Sequence, residues 1–374
     1  MTYIDFEKAF DSVKREIMWL TLQEYGITRK IIQIIKILYD GFKCKIAHEG
    51  KLSDFIEIRN GVRQRCILSP TPFLLILDRF MKTVKCLRKR GIHWSMKERL
   101  EDLDYADDIC LLDQRFYDVE EELKRLKEEA GLTGLQININ KTKGTRVNTS
   151  NMYKFRLGEA EIKEVGSFVY LGSVVSEGGG TEEDVANRIK EENGVFVQLY
   201  PVWRNLNISK EVKVRIFNTN VKPLLLYACE TWKTTNQITI RLQMFVNKWL
   251  KRIMNIKWTD KITKEELWRI THQKRIENQI KRRKWNWIGH TLRKETGALE
   301  KTAWDWNPQG YRRRGRPKRT WRRTIKDEIR STRRSWNEVK GIAGDRNAWK
   351  LFMDALCSTR SEKIWWWRWF NCKF

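Results

Sequence analysis

Apolar residues flank a pair of adjacent carboxylates in residues 103–112, where Asp107 and Asp108 form the polar centre of the segment. Because side chains alternate along a strand, two adjacent carboxylates approach one site only if a tight turn reverses the chain there. The pattern therefore predicts a buried β-hairpin that carries the aspartates at its turn. A surface turn or a helix cap is the alternative explanation for an Asp-Asp pair.

A third aspartate ends a short apolar stretch at the start of the chain. Tyr3 and Ile4 are typical of a strand, Asp5 falls where that strand ends, and Asp11-Ser12 are typical of a helix start. A carboxylate at the C-terminal end of a strand is well placed for metal chemistry, because the backbone is rigid and the crevice is open there.

Helices alternate with short strands in the pattern up to Gly180. Predicted helices cover residues 29–39, residues 70 to about 87 behind a Ser69 cap, and residues 120–130 before Gly131; a hairpin over residues 43–63 turns at Glu49-Gly50; strands cover residues 135–139 and 168–173. This order predicts an α+β domain with a sheet and helices on one of its faces. After Gly180 the pattern is mostly helical.

The net charge of the chain narrows the classes of molecule that it could bind. The 374-residue chain has a net charge of +27, which predicts a polyanionic partner, with nucleic acid the first candidate and an acidic membrane surface the second. No stretch reaches the ~18 apolar residues of a membrane span, and the N-terminus lacks a signal-peptide pattern. We therefore expect no membrane partner and an intracellular protein, in the cytoplasm or nucleus.

Cysteine and histidine do not suggest a metal or disulfide framework. The seven cysteines contain no Cys-x-x-Cys pair, and the four histidines lie far apart in the sequence. A disulfide-stapled fold and a zinc knuckle are therefore not supported.

The positions of the three aspartates suggest a class of reaction. Asp5 precedes Asp107 and Asp108 by roughly a hundred residues, and all three fall at predicted strand ends or turns. Carboxylates that converge from two strands are what a two-metal phosphoryl-transfer site requires. Their hard oxygen atoms suit Mg²⁺, with Mn²⁺ as the second choice.

Five segments carry a family resemblance. They are DFEKAFDSV at residues 5–13, GVRQRCILSP at 61–70, YADD at 105–108, LQININKTK at 135–143 and YLGS at 170–173. Their order and wording resemble palm motifs A to D and the primer-grip motif E of reverse transcriptases from LINE-type non-LTR retrotransposons. The resemblance implies a right-hand palm, an antiparallel sheet with helices on one face, over residues 1–180. It further implies an all-α thumb over residues 181–255 and a basic, Trp-rich helical region over residues 256–374.

By this resemblance the chain is an RNA-directed DNA polymerase that extends a DNA primer with deoxynucleoside triphosphates on an RNA template. Asp5, Asp107 and Asp108 would hold two Mg²⁺ ions, together with the backbone of Phe6. Other implied roles are a steric gate for Phe10, nucleotide contacts for Gln64 and Arg65, a proton donor to pyrophosphate for Lys141, and primer positioning for Tyr170, Leu171 and Gly172. From the residues alone, Phe10 also fits an ordinary helix core and Lys141 a solvated loop.

Two departures from the family pattern bear on activity. Arg65 stands where the family has glycine, and Pro72 is acceptable only in the first turn of a helix. The chain also opens directly on motif A, without the fingers segment that precedes it in the family. We interpret it as a truncated copy with reduced or no independent polymerase activity.

A basic stretch near the C-terminus offers a second function. Residues 312–319 include an Arg-Gly-Arg-Pro core typical of AT-hooks, and their candidate nucleic-acid-binding residues are Arg312, Arg313, Arg314, Arg316, Lys318 and Arg319. A nuclear-localisation signal and a solvated loop are the alternatives. The competing hypothesis is therefore a non-catalytic nucleic-acid-binding remnant that acts through this tail.

Overall fold

The computed structural model describes residues 1–85, 90–95, 98–147, 153–307 and 320–357. Two compact units divide the chain, Met1–Gly178 and Gly179–Phe374. The first contains both strands and helices, and the described part of the second is helical. This composition confirms the predicted α+β class.

Short strands and five helices make up the first unit where it is described. The helices are α1 (Ala9–Ser12), α2 (Arg15–Glu24), α3 (Arg29–Tyr39), α4 (Pro70–Val84) and α5 (Phe116–Thr133). The strands are β1 (Thr2–Ile4), β2 (Lys43–Cys44), β3 (Ala47–His48), β4 (Lys51–Leu52), β5 (Ile56–Glu57), β6 (Ile92–His93), β7 (Arg99–Leu100), β8 (Asp102–Tyr105), β9 (Asp108–Leu111), β10 (Lys143–Gly144), β11 (Arg156–Leu157), β12 (Ala160–Glu161), β13 (Lys163–Glu164), β14 (Ser167–Tyr170) and β15 (Ser173–Ser176).

The central sheet has five strands in the order β13-β10-β1-β9-β8. Strand β1 is antiparallel to both of its neighbours, and β8 and β9 form an antiparallel hairpin. The edge pair β10 and β13 is parallel. The prediction of a purely antiparallel sheet is therefore wrong at this edge, because a connection containing the β11–β12 hairpin returns the chain in the same direction.

Side chains alternate along β1 and β9, and the apolar ones give the central sheet two apolar faces. Ile4, Ile109 and Leu111 belong to the larger core that includes residues of α2, α3, α4 and α5. Tyr3 and Cys110 belong to a smaller core on which residues of β14 pack. The sheet is thus covered on both sides, which explains why its central strands are almost continuously apolar.

Several predicted elements are confirmed. Helix α3 has the expected bounds, the hairpin β3–β4 turns at Glu49-Gly50, and β8–β9 carries Asp107 at its turn. Pro70 is the first residue of α4, as expected. The Ser69 cap is wrong, because the Ser69 hydroxyl makes no capping bond and instead lies 3.1 Å from the Tyr39 hydroxyl in a buried position.

Other boundaries are wrong because tertiary contacts or turns decide them. Asp11 and Ser12 end a helix rather than start one. Gly131 lies inside α5, which is capped by Gly134 at a φ of 89°. The strand expected at residues 135–139 is reduced to one bridge between Phe6 and Ile137, because the chain turns after Asn138. Residues 168–173 form a hairpin rather than one strand.

A buried carboxyl group in α5 gives the first unit a pH-dependent stability. Burial and the neighbouring Asp113 raise the pKa of Glu122 to about 10. A folded pKa above the unfolded value means that stability is full below about pH 4.5 and falls as pH rises towards the folded pKa. We expect Glu122→Gln, which cannot ionise, to raise the free energy of unfolding on the order of 1 kcal/mol or more at pH 8 and much less at pH 5.

Thermal melting followed by circular dichroism at both pH values measures this difference. The matched control is Glu121→Gln, which removes the ion pairs with Arg90 and Arg125 and should lower stability instead. Equal melting shifts for Glu122→Gln at the two pH values would contradict a neutral Glu122.

Helices make up the described part of the second unit. They are α6 (Thr181–Gln198), α7 (Tyr200–Arg204), α8 (Lys210–Ile216), a π-helix (Phe217–Val221), α9 (Lys222–Leu225), a 3₁₀ turn (Cys229–Thr231), α10 (Asn236–Ile253), α11 (Lys264–Ile270), α12 (Ile276–Leu292), α13 (Leu299–Asp305), α14 (Trp321–Arg330), α15 (Trp336–Ala343) and α16 (Arg346–Cys357). Two apolar clusters hold them, one around α10 and one rich in tryptophan around Trp285. Across the described ranges, no helix combines the length and apolarity needed to cross a bilayer.

Candidate active site

The β8–β9 hairpin presents the two adjacent aspartates. Tyr105 pairs with Asp108 at its end, which leaves Ala106 and Asp107 as the connecting residues. Ala106 has a φ of 54°, a left-handed conformation that is costly for a residue with a Cβ atom. This tight turn is the feature that lets neighbouring carboxylates face the same region, as the sequence predicted.

Pairing of β1 with β9 brings the third aspartate to the same end of the sheet. Ile4 pairs with Ile109, so the next step of the register sets Asp5 opposite Asp108. Burial raises the pKa of Asp108, and the nearby carboxylates of Asp107 and Asp5 raise it further. The charges of Asp5 and Asp107 therefore act on Asp108, although Asp5 lies roughly a hundred residues away in sequence.

Asp5 is held by the segment that follows α5. Its backbone N–H donates to the Thr142 hydroxyl at 3.4 Å, and its carbonyl accepts from the Asn138 N–H at 2.8 Å. The Lys141 ammonium lies 3.6 Å from Asp5 Oδ2. The structure thus places the candidate proton donor beside a candidate metal ligand, although the sequence alone also allowed a solvated loop residue.

The chemistry of these donors fits a hard divalent cation. Asp5 Oδ2 is shielded from water and accepts no hydrogen bond, and the Lys141 ammonium 3.6 Å away supplies a positive charge that a divalent cation could supplement. Among the described residues, no three acidic, histidine or cysteine side chains are gathered closely enough to form a ready ligand set. Asp5, Asp107 and Asp108 are nevertheless the residues that could hold Mg²⁺ or Mn²⁺.

Motif B packs directly on α1. The Gly61 N–H donates to the Val13 carbonyl at 2.8 Å, and the Val62 N–H donates to the Phe10 carbonyl at 2.7 Å. The Phe10 ring is half-buried and stacks on Phe73, with centroids 4.2 Å apart. Both the steric-gate role and the core role therefore remain compatible with the position of Phe10.

Gln64 and Arg65 lie at the exposed end of this segment. The Gln64 amide donates to both carboxylate oxygens of Asp11, at 3.0 and 3.1 Å. Arg65 has a φ of 60°, the region that glycine occupies without strain. The family's glycine at this position thus has a conformational reason. Nothing in the sequence indicated that Asp11 accepts from Gln64. Asp11 lies six residues after Asp5, within the same motif.

Replacing Arg65 by glycine should relieve this strain. The left-handed conformation costs roughly 1–2 kcal/mol for a residue with a Cβ, and glycine loses about 0.5–1 kcal/mol of that gain to chain entropy. We expect Arg65→Gly to raise the free energy of unfolding by about 0.5 kcal/mol in urea titrations. Arg59→Gly, at a position without a positive φ, should lower it; a loss of stability in both variants would contradict the argument.

Tyr170 lies under the turn that carries the aspartates. Its hydroxyl donates to the Leu103 carbonyl at 2.8 Å and lies 3.2 Å from the Asp108 carbonyl. Leu171 and Gly172, with φ values of 47° and 74°, form the tip of the β14–β15 hairpin. The three predicted primer-positioning residues therefore lie in two places: Tyr170 contacts the β8–β9 hairpin, and Leu171 and Gly172 form the tip of the β14–β15 hairpin.

Removing the Tyr170 hydroxyl should loosen the turn. We expect Tyr170→Phe to lower the free energy of unfolding by about 1 kcal/mol, the usual value of one hydrogen bond. We also expect primer extension to slow roughly tenfold, since small displacements of reacting groups are costly. Tyr117→Phe, at an exposed tyrosine of α5, serves as control; equal rates in the two variants would show that the hydroxyl does not position the turn.

The remaining predicted site residues are Phe6 and the basic residues near the C-terminus. The Phe6 backbone follows Asp5 and bridges to Ile137. The basic residues Arg312, Arg313, Arg314, Arg316, Lys318 and Arg319 fall outside the described residues, so their nucleic-acid role stays a prediction.

Comparison with known proteins identifies the first unit. A family model described as reverse transcriptase (RNA-dependent DNA polymerase) matches residues 1–175, which contain all five motifs. Among relatives, the chain is 24% identical over 267 residues to the Pol polyprotein of the type-1 retrotransposable element R2 of Popillia japonica, covering 68% of this chain and 42% of that protein.

Residues 1–175 therefore match the reverse transcriptase family, and the chain is similar to the Pol polyproteins of R2 retrotransposable elements.

Two further proteins similar to this chain carry transposon names. An uncharacterised transposon-derived protein of Caenorhabditis elegans is 25% identical over 263 residues, covering 67% of this chain and 94% of that protein. A 149 kDa protein of transposon TX1 from Xenopus laevis is 31% identical over 145 residues, which is 38% of this chain but only 11% of that protein. A model for a domain of unknown function matches residues 195–227.

Proposed function

We propose that this reverse transcriptase copies an RNA template by adding deoxynucleotides to the 3′-hydroxyl of a DNA primer. The observation that supports the proposal is the strand register, which sets Asp5 opposite Asp108 at the end of the central sheet that carries the β8–β9 turn. Burial raises the pKa of Asp108, and the charges of Asp107 and Asp5 add to this effect. By family it is an RNA-directed DNA polymerase, and the proposal assigns the reaction to this site.

Asp5, Asp107 and Asp108 hold two Mg²⁺ ions in this proposal, and Mn²⁺ is the alternative ion. When bound, such ions lower the pKa of the attacking hydroxyl and offset charge on the leaving pyrophosphate. Lys141, beside Asp5, carries the proton for the departing pyrophosphate. The Phe10 ring, fixed by its stack on Phe73, limits the space at the nucleotide sugar.

The architecture follows the same proposal. Residues 1–180 form the palm, residues 181–255 the thumb and residues 256–374 a basic nucleic-acid-binding region. The net charge of +27 supports contact with RNA and DNA. An intracellular location, in the cytoplasm or nucleus where such templates and targets occur, belongs to this proposal too.

The net charge also favours a second function, non-catalytic binding of nucleic acid. Primer extension on an RNA template separates the two, with Asp107→Ala as the test variant and fluorescence anisotropy as the binding control. Polymerase function requires extension by the parent protein and its loss in Asp107→Ala while binding persists. Binding by both proteins without Asp107-dependent extension would establish the non-catalytic function instead.

A further inference from the structure

One tryptophan of the second unit is almost entirely exposed. Trp258, between α10 and α11, has 95% of its surface accessible. The neighbouring Ile256 and Ile262 pack against the apolar cluster around α10 and so anchor the loop on either side. Tryptophan combines a large apolar ring with an N–H donor, and it is enriched where proteins bind partners.

Hydrogen bonds hold the backbone of the loop that carries this ring in a defined conformation. The Lys257 N–H donates to Asp260 Oδ2 at 2.8 Å, and the Asp260 N–H donates back to the Lys257 carbonyl at 3.1 Å. The Ile256 N–H donates to the Lys251 carbonyl at 2.9 Å, which ties the loop to the end of α10. Trp258 is therefore displayed at a closed turn, and little ordering entropy remains to be lost on binding.

Positive charge predominates in the sequence around the turn. Residues 248–266 contain three acids, Asp260, Glu265 and Glu266, and the Asp260 carboxylate already accepts the Lys257 amide. The same range contains six exposed cations: Lys248, Lys251, Arg252, Lys257, Lys261 and Lys264. Within the described ranges, none of the six is within ion-pair distance of a carboxylate. We name Trp258 with these cations the Trp258 surface.

Lys248 and Arg252 lie over the Trp249 ring. An exposed ring among cations that outnumber the acids of the same stretch fits a ligand with flat apolar faces and regularly spaced negative charges. Unpaired nucleic-acid bases supply the faces and their phosphates supply the charges, whereas in a duplex the base faces are already stacked. An apolar protein partner would leave the cations without a role, and the charge therefore favours nucleic acid.

We propose that the Trp258 surface binds single-stranded RNA, with the indole stacked on an unpaired base and the lysines on the flanking phosphates. The choice of RNA rests on the proposed function, in which the template is RNA. The stacking and the charge contacts rest only on the geometry of the loop.

The test uses the full chain and a short unstructured RNA labelled with fluorescein, without nucleotides or divalent ions. Stacking on one base contributes roughly 1–3 kcal/mol, so Trp258→Ala should weaken binding about tenfold. Trp258→Phe, which keeps a ring, should retain most of the affinity. The matched control is Leu206→Ala, since Leu206 is also 95% exposed in the second unit and should not contribute to binding.

The salt dependence of RNA affinity distinguishes the contribution of the ring from that of the lysines. The ratio between parent and Trp258→Ala should persist at high salt, because stacking is not a charge interaction. The double variant Lys257→Gln/Lys261→Gln should reduce the slope of log affinity against log salt by roughly 1.4, about 0.7 for each phosphate contact to a single strand.

Three results would overturn the proposal: unchanged RNA affinity in Trp258→Ala, equal losses in Trp258→Ala and Trp258→Phe, or an equal loss towards duplex DNA. Thermal melting of each variant checks that the fold is intact. The same measurement in the Asp107→Ala background keeps the two proposals apart. A tenfold effect there, without primer extension by the parent, would reject the polymerase function and retain the Trp258 surface.

Discussion

Asp108→Asn is expected to reduce primer extension by roughly 10³-fold or more while leaving the fold intact. Several kcal/mol of charge stabilisation at the reacting phosphate depend on such a carboxylate, and each ~1.36 kcal/mol is a factor of ten in rate. The loss should appear in the rate constant at saturating nucleotide, measured on an RNA template. Asp54→Asn, at an exposed loop aspartate, is the control and should extend primers at the parental rate.

Asp108→Asn should be at least as stable as the parent in the absence of Mg²⁺, although it loses activity. Burial, followed by the charges of Asp107 and Asp5, raises the pKa of Asp108, so its ionised form is disfavoured in the folded protein. A folded pKa above the unfolded value costs stability once pH exceeds the unfolded value. Asparagine removes that cost, and its melting temperature in chelator at pH 7 should be no lower than that of the parent.

Added Mg²⁺ should then raise the melting temperature of the parent but not that of Asp108→Asn, since a ligand stabilises only the state that binds it. This readout does not depend on polymerase activity. A variant that melts lower in chelator, or that responds to Mg²⁺ as the parent does, would remove the electrostatic account of the site.

Gly61→Ala is expected to destabilise the first unit by about 3 kcal/mol. A Cβ atom at this position would lie 2.6 Å from Asp11 Cα and from the Asp11 carbonyl oxygen, both backbone atoms that cannot rotate away. The left-handed φ of 77° adds its own cost. Strain of roughly 1–2 kcal/mol and overpacking of 1–3 kcal/mol together give this estimate.

Gly26→Ala separates the two contributions. Gly26 has the same φ of 77°, but nothing lies within 4 Å of a Cβ atom there. The control should lose only about 1 kcal/mol in urea denaturation, from the backbone strain. If both substitutions cost the same, the close approach of motif B to α1 is not important for stability. Gly61→Ala should also slow primer extension, because it displaces the segment that carries Gln64.

Local sequence patterns predicted the β8–β9 hairpin and its acidic turn well. Apolar arms around two acids are sufficient to indicate a hairpin, and Tyr3-Ile4 before Asp5 indicate the strand that pairs with it. The elements predicted wrongly were those decided by distant contacts. The Ser69 hydroxyl, an ordinary cap in sequence, is taken by Tyr39 from another helix. Residues 135–139 resemble a strand but turn away after one bridge.

The site beyond the aspartates was less predictable for the same reason. Nothing near Tyr170 in sequence indicates that its hydroxyl reaches the Asp108 carbonyl, 62 residues away. The Glu122–Asp113 pair is equally invisible, because a charged helix pattern gives no sign that one glutamate is buried. The left-handed backbone at Arg65 could be anticipated only from the family's glycine.

The contact between Tyr170 and the Asp108 carbonyl links the β14–β15 hairpin mechanically to the acids. A displacement of the Leu171-Gly172 tip would therefore also move Asp108, so the position of this acid depends on a separate hairpin.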